Sequence, residues 1–173
     1  VSSSNLSFGS GTLSSDGKTK TFPLTIRNFT GGNVEITIYA GALVDTSENS
    51  SSQKVYTFTV DGTLPVWNSS ISGGTYDANN KTYALKLIGT DETGLNNTVS
   101  VLNSSNVTVT MGGKTASVTF GTATLNDKTK TFPLTINNFT GGDITISISA
   151  GALVDTSGNK SSAKTYSFNV DVT

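Results

Sequence analysis

Hydrophobic side chains occupy every second position in many short stretches of this chain. Phe22, Leu24 and Ile26 alternate with proline, threonine and arginine, and similar alternation recurs to the end of the sequence. A period of two places successive side chains on opposite faces of a strand, so that one face is buried and the other meets solvent. The alternation predicts strands over residues 6–8, 19–26, 34–39, 54–60, 66–71, 82–88, 98–102, 106–111, 116–122, 130–136, 144–149 and 164–170.

Pairs of glycines and asparagines separate these stretches. Gly73-Gly74, Asn79-Asn80 and Gly141-Gly142 predict turns between strands. No segment has a helical period, so we expect an all-β chain. Many short strands separated by turns predict a two-sheet antiparallel sandwich. Pro133 cannot donate a backbone hydrogen bond, and this predicts an edge strand or a bulge at its position.

The chain contains two copies of one sequence. A shift of 110 positions aligns residues 18–61 with residues 128–171, and 32 of these 44 positions are identical. The second copy is preceded by residues 63–112, which have no counterpart ahead of the first copy. We therefore divide the chain into a partial module, residues 1–62, which is the C-terminal half of the repeat, and a complete module, residues 63–173.

Several motifs of the repeat resemble those of a known family. They are Val-Asp-Gly-Thr-Leu-Pro at residues 60–65, the strand at 82–88, FTGGDITISISAGALVDTSGN at 139–159 and YSFNVD at 166–171. This pattern is similar to the bacterial immunoglobulin-like repeats that occur in tandem in very large surface proteins and adhesins. The resemblance implies an immunoglobulin-like β-sandwich that is extracellular, at the cell surface. Its implied partners are neighbouring modules of the same chain or protein, together with a surface glycan or protein ligand.

Composition limits the classes of function. The chain has 24 Ser, 29 Thr and 16 Asn but no His and no Cys, which removes the commonest general base and every thiol nucleophile. We therefore expect no enzymatic activity. Eleven Lys and Arg against twelve Asp and Glu give a net charge of −1, so no basic patch is available for nucleic acid. The longest apolar runs span about four residues, too few for insertion into a membrane.

One loop of the second copy carries oxygen atoms suited to calcium, the one cofactor that we consider. Asp155 and Asn159 stand four residues apart in the Asp-Thr-Ser-Gly-Asn sequence. Ca²⁺ takes about six to eight oxygen ligands, and an Asx-type turn explains the same two residues without a metal. The family resemblance implies calcium at module junctions and adds Asp61. The only adjacent acids, Asp91 and Glu92, lie in a glycine-flanked stretch that predicts a solvated loop.

Two features suggest carbohydrate. Asn-x-Ser/Thr sequences occur ten times, and the glycosylation sites that we select are Asn28, Asn68, Asn80, Asn106 and Asn138. Trp67, Tyr76 and Tyr83 offer aromatic rings on which a sugar would stack. A place in the core or at the module junction is the commoner role of a single tryptophan in a sandwich.

The partial module poses a structural problem, because half a sandwich leaves an apolar face and open strand edges exposed. Three explanations stay open: an array cut at an arbitrary point, a shortened sandwich, or strands supplied by a neighbouring molecule. The sequence favours a structural or adhesive module from the repetitive stalk of a cell-surface protein. A self-assembling, pilus-like filament subunit that uses β-strand complementation is the first alternative, and a carbohydrate-binding module is the second.

Overall fold

The structure is a computed structural model that describes residues 5–172. Its regular elements are antiparallel β-strands, and no α-helix occurs in this part of the chain. Within the same residues there is accordingly no helix of the length and apolarity needed to cross a membrane. The all-β class expected from the alternation is thus confirmed. The chain divides into a first unit, residues 5–60, and a second unit, residues 61–172, and each is described by itself.

The first unit is built from short strand pairs. Its strands are β1 (Leu6–Phe8), β2 (Thr12–Leu13), β3 (Lys20–Thr21), β4 (Leu24–Ile26), β5 (Gly32–Ile38) and β6 (Lys54–Val60). β1 pairs with β4, β2 with β3, and β5 with β6, each as a separate two-stranded sheet. The strand expected at residues 19–26 is divided into β3 and β4 around Phe22 and Pro23.

The second unit contains two antiparallel sheets. Its strands are β7 (Val66–Trp67), β8 (Ser72–Asp77), β9 (Thr82–Thr90), β10 (Val107–Met111), β11 (Lys114–Thr115), β12 (Val118–Phe120), β13 (Thr124–Asn126), β14 (Thr129–Ile136), β15 (Gly142–Ile148) and β16 (Lys164–Val170). One sheet has the order β12-β14-β9-β7, with β13 also on β14 and β8 also on β9. The other has the order β11-β10-β15-β16.

The apolar faces of these two sheets pack against each other and form the core of the second unit. Leu87 of β9 and Ile136 of β14 come from one sheet, and Val109 of β10 and Ile146 of β15 come from the other; all four are at most 1% exposed. Burial of β14 alternates residue by residue, as its sequence pattern predicts. Each fully buried side chain of this kind contributes about 1.5–3 kcal/mol, so the sheets are held together as a β-sandwich.

The strand expected at residues 98–102 is wrong. Residues 97–99 form a turn and residues 100–102 are irregular, because the side-chain oxygen of Asn96 accepts hydrogen bonds from the backbone N–H groups of Thr98 and Val99. The N–H of Ser100 also bonds the Asn96 carbonyl, at 3.1 Å. An asparagine side chain that accepts hydrogen bonds from the backbone following it competes with strand formation. Here these hydrogen bonds produce a turn although the sequence alternates.

Two turn and edge expectations also need correction. The turn expected at Gly73-Gly74 lies inside β8, where a Cβ on Gly74 would overlap the hydroxyl of Tyr83. Pro133 does not lie in an edge strand, because β14 pairs with strands on both of its sides. It lies opposite a bulge instead: between the pairs Phe120–Leu134 and Thr124–Thr131, three residues of the neighbouring segment oppose two of β14. The bulge explains why a proline is tolerated inside this sheet.

Candidate metal centre

Three aspartates come together in the second unit. Asp61 precedes β7, Asp91 directly follows β9, and Asp155 lies in the loop between β15 and β16. One carboxylate oxygen from each lies within 4.8 Å of the other two. Asp155 is fully buried, Asp91 is 6% exposed, and Asp61 is partly exposed. The fold thus gathers three acidic groups where solvent can screen them only in part.

Asp155 organises its own loop. Its Oδ1 accepts backbone N–H bonds from Ser157 and Asn159, both at 2.8 Å, and its Oδ2 accepts the Asn159 side-chain amide at 2.7 Å. This is the Asx-type turn expected from the sequence. A backbone bond from Asn96 to the Val154 carbonyl, 2.8 Å long, ties the loop to the segment after β9. That bond explains how residues far apart in sequence meet at one place.

Asp91 is held by a local network that uses only one of its oxygens. Its Oδ1 accepts the N–H groups of Thr93 and Gly94 at 2.9 and 3.0 Å and the Thr93 hydroxyl at 2.8 Å. Its Oδ2 is buried and has no hydrogen-bond partner among residues 5–172. An unpartnered buried acceptor costs about 1–3 kcal/mol, and more when it is charged. The expected solvated loop is therefore wrong for Asp91, although Glu92 is exposed.

Asp61 contributes the third carboxylate. Its Oδ2 lies 2.5 Å from the Thr93 hydroxyl oxygen and shares that hydroxyl's single proton with Asp91, and its Oδ1 accepts the Thr63 N–H at 2.8 Å. These bonds, with that from Thr93 the stronger, hold the pKa of Asp61 below its usual value and favour its ionised form. In the part of the chain that the structure describes, no lysine or arginine forms an ion pair with this cluster. Hydrogen-bond donors, and no cationic side chain of the described residues, thus face these carboxylates.

The spacing of the oxygens is compatible with one shared hard cation. Two oxygens bound at about 2.4 Å to one calcium ion lie at most about 4.8 Å apart. The three carboxylates satisfy this limit. Carboxylates and neighbouring hydroxyl and carbonyl oxygens are the ligands that Ca²⁺ takes, with water completing its shell. The residues present therefore fit calcium.

The site differs in one residue from the set expected from the sequence. The fold brings Asp155 close to Asp61, the residue that the family resemblance adds to the candidate set. Asn159 lies beside them, but its amide nitrogen donates to Asp155 and, at 3.1 Å, to the Asp61 carbonyl, so it holds the loop in place. Sequence reasoning misses Asp91. Its available signal is the Asp-x-Thr-Gly sequence directly after a long alternating stretch, which is a second Asx-type turn.

The first unit has the same loop without the two other carboxylates. Asp45 Oδ1 accepts the N–H groups of Ser47 and Asn49, both at 2.8 Å, and Oδ2 accepts the Asn49 amide at 3.0 Å. The bond from the Asn49 side chain lowers the pKa of Asp45. Asp45 is exposed and belongs to no group of three acidic side chains among the described residues. The loop therefore forms from its local sequence, and the cluster needs more of the fold.

The five selected glycosylation sites divide by the state of their amide nitrogens, where a glycan attaches. Asn28, Asn80 and Asn106 each donate a side-chain hydrogen bond, to Asn5, Asp77 and the Val101 carbonyl respectively. Asn68 and Asn138 are exposed, and within residues 5–172 their amide nitrogens make no hydrogen bond. These two side chains are the ones accessible without breaking a contact.

The three aromatic residues considered for sugar binding do not form an exposed platform. Trp67 is 8% and Tyr83 is 9% exposed, and both belong to the core of the second unit. Tyr76 packs against the same core and lies 5.8 Å from the ring of Phe139, centroid to centroid. Buried rings cannot stack on a sugar, so these residues give the carbohydrate-binding alternative no support.

A scan against protein-family models, a search of the curated proteins and a search of the solved structures found no match to this chain.

Proposed function

We propose that this chain is an extracellular structural or adhesive module, part of the repetitive stalk of a cell-surface protein that mediates adhesion or surface display. One observation carries the proposal: β5 with β6 and β15 with β16 each pair over seven residues in the same register, offset by 110 positions. Repeated modules lengthen a chain by a constant step, so copy number sets the reach of a stalk. We propose, with this, that the modules are immunoglobulin-like and tandem.

The surface of the second unit is consistent with a passive role. On β16 the exposed positions are Thr165, Ser167 and Asn169, and they alternate with the buried Tyr166. Charged residues are 13% of the chain, with a net charge of −1. A neutral, hydroxyl-rich surface offers few strong sites for nonspecific partners, which suits a spacer.

We infer in addition that Asp61, Asp91 and Asp155 bind one calcium ion. The support is that Asp91, whose Oδ2 is buried and unpartnered, is clustered with two further carboxylates. An ion there ties the segment before β7 to the end of β9 and to the β15–β16 loop. In a stalk this cross-link stiffens the start of the module. The ion then has a structural role, because it holds three segments together and takes part in no reaction.

The stalk proposal is tested by changing copy number. Chains carrying one, two or three copies of residues 63–171 after residues 1–62 are compared by small-angle scattering. We expect monomers whose maximum dimension rises by an equal step with each copy. Antibodies against residues 63–171 should label intact producing cells. Compact particles, or labelling only after the cells are opened, would contradict the proposal.

The filament alternative is favoured by one specific observation. Among residues 5–172, ten of the fourteen exposed large hydrophobic side chains lie in the first unit, as expected of a surface that pairs with other strands. Light scattering distinguishes the two functions, because a filament subunit forms a concentration-dependent series of oligomers and a stalk fragment stays monomeric. A concentration-dependent series of oligomers would contradict the stalk proposal and support the filament function.

The glycosylation hypothesis is carried forward for Asn68 and Asn138, whose exposed amides are free to react. Protein isolated from its native source should show mass increments that glycosidase removes, located by peptide mapping to these two residues. A native mass equal to that of the unmodified chain would rule out a glycan coat.

A further inference from the structure

Identical side chains have opposite environments in the two units. Phe22 is 50% exposed, whereas its equivalent Phe132 is 3% exposed. Tyr56 is 50% exposed, whereas its equivalent Tyr166 is 5% exposed. Both pairs lie in the aligned 44-residue copies. Since the residues are the same, the difference arises from what covers them.

Residues 63–115 provide the cover in the second unit. Within this segment β9 pairs with β14, and β10 pairs with β15. Its buried side chains include Leu85, Leu87, Val107 and Val109, which lie in the core. In the first unit β3 and β4 together correspond to β14, and β5 corresponds to β15; among residues 5–60 they pair only with β2, β1 and β6 respectively. Two strand edges that are paired in the second unit are therefore open in the first.

The first unit keeps much of the strand pairing of its covered equivalent, although its counterpart of β14 is divided into β3 and β4. β5 and β6 keep the register of β15 and β16. Leu6 pairs with Ile26 as Val118 pairs with Ile136. The bulge is repeated too, because residues 9–11 lie opposite two residues just as residues 121–123 do. A preorganised acceptor loses little conformational freedom when strands are added to it.

An apolar cavity of about 630 Å³ lies on the open face of the first unit. Its lining includes Leu24, Ile26, Val34 and Ile36. The aligned residues of the second unit are Leu134, Ile136, Ile144 and Ile146, and none is more than 1% exposed. The cavity thus corresponds to the volume that the core side chains of residues 63–115 occupy in the second unit.

We propose that the first unit is an acceptor for a further copy of the 63–115 segment, carried directly ahead of it in the same polypeptide. In the second unit this segment ends at Thr115, and β12 begins at Val118, so donor and acceptor are adjacent in sequence. The segment present in this chain is engaged with residues 116–171, so the occupant is an additional copy. The inference depends neither on a cell-surface role nor on calcium.

The test adds the missing segment to the full chain. A copy of residues 63–115 replaces residues 1–3, so that two residues separate the added β11 from β1, as two separate β11 from β12. The matched control carries Leu85→Asp and Val109→Asp in the added copy alone, which places charges at core positions. Amide hydrogen exchange of β4 and β5 is measured by mass spectrometry in the original, fused and control chains, with light scattering for mass.

The fused chain should be monomeric, and exchange of the β4 and β5 amides should slow on the order of 1,000-fold, since they then open only by unfolding of the unit. The control should exchange like the original chain. Equal exchange in all three chains overturns the proposal, and so does equal slowing in the control. An original chain that is already dimeric and protected at β4 and β5 also overturns it, because a second molecule is then the occupant.

Discussion

Replacing Asp91 by Asn separates cation binding from the local structure of the cluster. The side-chain oxygen that accepts bonds from Thr93 and Gly94 is retained. The buried, unpartnered Oδ2 becomes an amide nitrogen, and one negative charge is removed. A metal ligand is lost, while the turn that this residue organises keeps its acceptor.

Asp91 as a charged metal ligand and Asp91 as a purely structural residue predict opposite effects of the Asp91→Asn substitution on stability. Charges 4.8 Å apart repel by about 3.5 kcal/mol at an effective dielectric constant of about 20, and the oxygens of Asp91 and Asp155 lie within this distance. In the presence of a chelator the variant should therefore melt at a higher temperature than the original chain. An uncharged structural aspartate would give the reverse result, because its replacement relieves no repulsion.

Calcium should reverse this order. Extracellular sites bind with dissociation constants of about 0.1–1 mM, so about 10 mM calcium stabilises the original chain by roughly 1.4–2.7 kcal/mol. For a unit of this size the melting temperature rises by about 5–10 °C. The variant lacks the ligand and should gain little.

Fluorescence provides the assay. Trp67 is the only tryptophan and lies in the core of the second unit, so its emission follows unfolding of that unit. Melts are recorded with calcium and with chelator, and Asp45→Asn in the first unit is the matched control. The reasoning fails if calcium leaves the original chain unchanged, or if it stabilises the Asp91→Asn variant equally.

Three further predictions use the same fluorescence signal. Leu153→Ala, at a fully buried position, should cost about 2–5 kcal/mol, whereas Leu43→Ala, at the exposed equivalent, should leave the Trp67 transition in place. Tyr166→Phe removes a partly buried hydrogen bond worth about 0.5–1.5 kcal/mol. Because burial raises the pKa of Tyr166, the original chain should lose stability as pH rises through that raised value, above about 10, and the variant should lose less. Hydrogen bonds, foremost that from the Asn80 side chain, lower the pKa of Asp77, so stability should fall below about pH 4, and Asp77→Asn should reduce this acid dependence.

Alternation reveals most of the fold because most strands bury one face. β14 and β9 are predicted correctly from residue order alone, since most of their apolar side chains enter one core. Alternation gives the wrong prediction for residues 98–102. Their alternating Val99 and Val101 are exposed, while Ser100 is buried and exchanges two hydrogen bonds, both 2.9 Å long, with the backbone of Val154. A partner 54 positions away determines this geometry, and no local pattern contains it.

The metal centre shows the same division between local and distant causes. Asp155 is recognisable because its loop hydrogen bonds lie within four residues. The sequence predicts a solvated loop at Asp91 because the neighbouring residues are polar. Asp91 is buried because the Asp155 loop lies against it. Backbone bonds at Gly94 and Asn96 bring that loop to the end of β9. Sequence thus predicts each Asx-type turn and cannot predict that the two turns meet.

Residues 61–115 supply both the covering strands of the second unit and two of its three clustered aspartates, Asp61 and Asp91. Asp45 already has the loop hydrogen bonds of Asp155, so a first unit completed by this segment acquires the same three carboxylates. Folding and metal binding are then linked, because the ion stabilises only the covered form. When the fused copy begins at residue 61, calorimetric titration should give two calcium ions per chain, and Asp45→Asn should return the count to one. A fused chain whose β4 and β5 are protected from exchange but which still binds a single ion would show that the cation site does not repeat with the module.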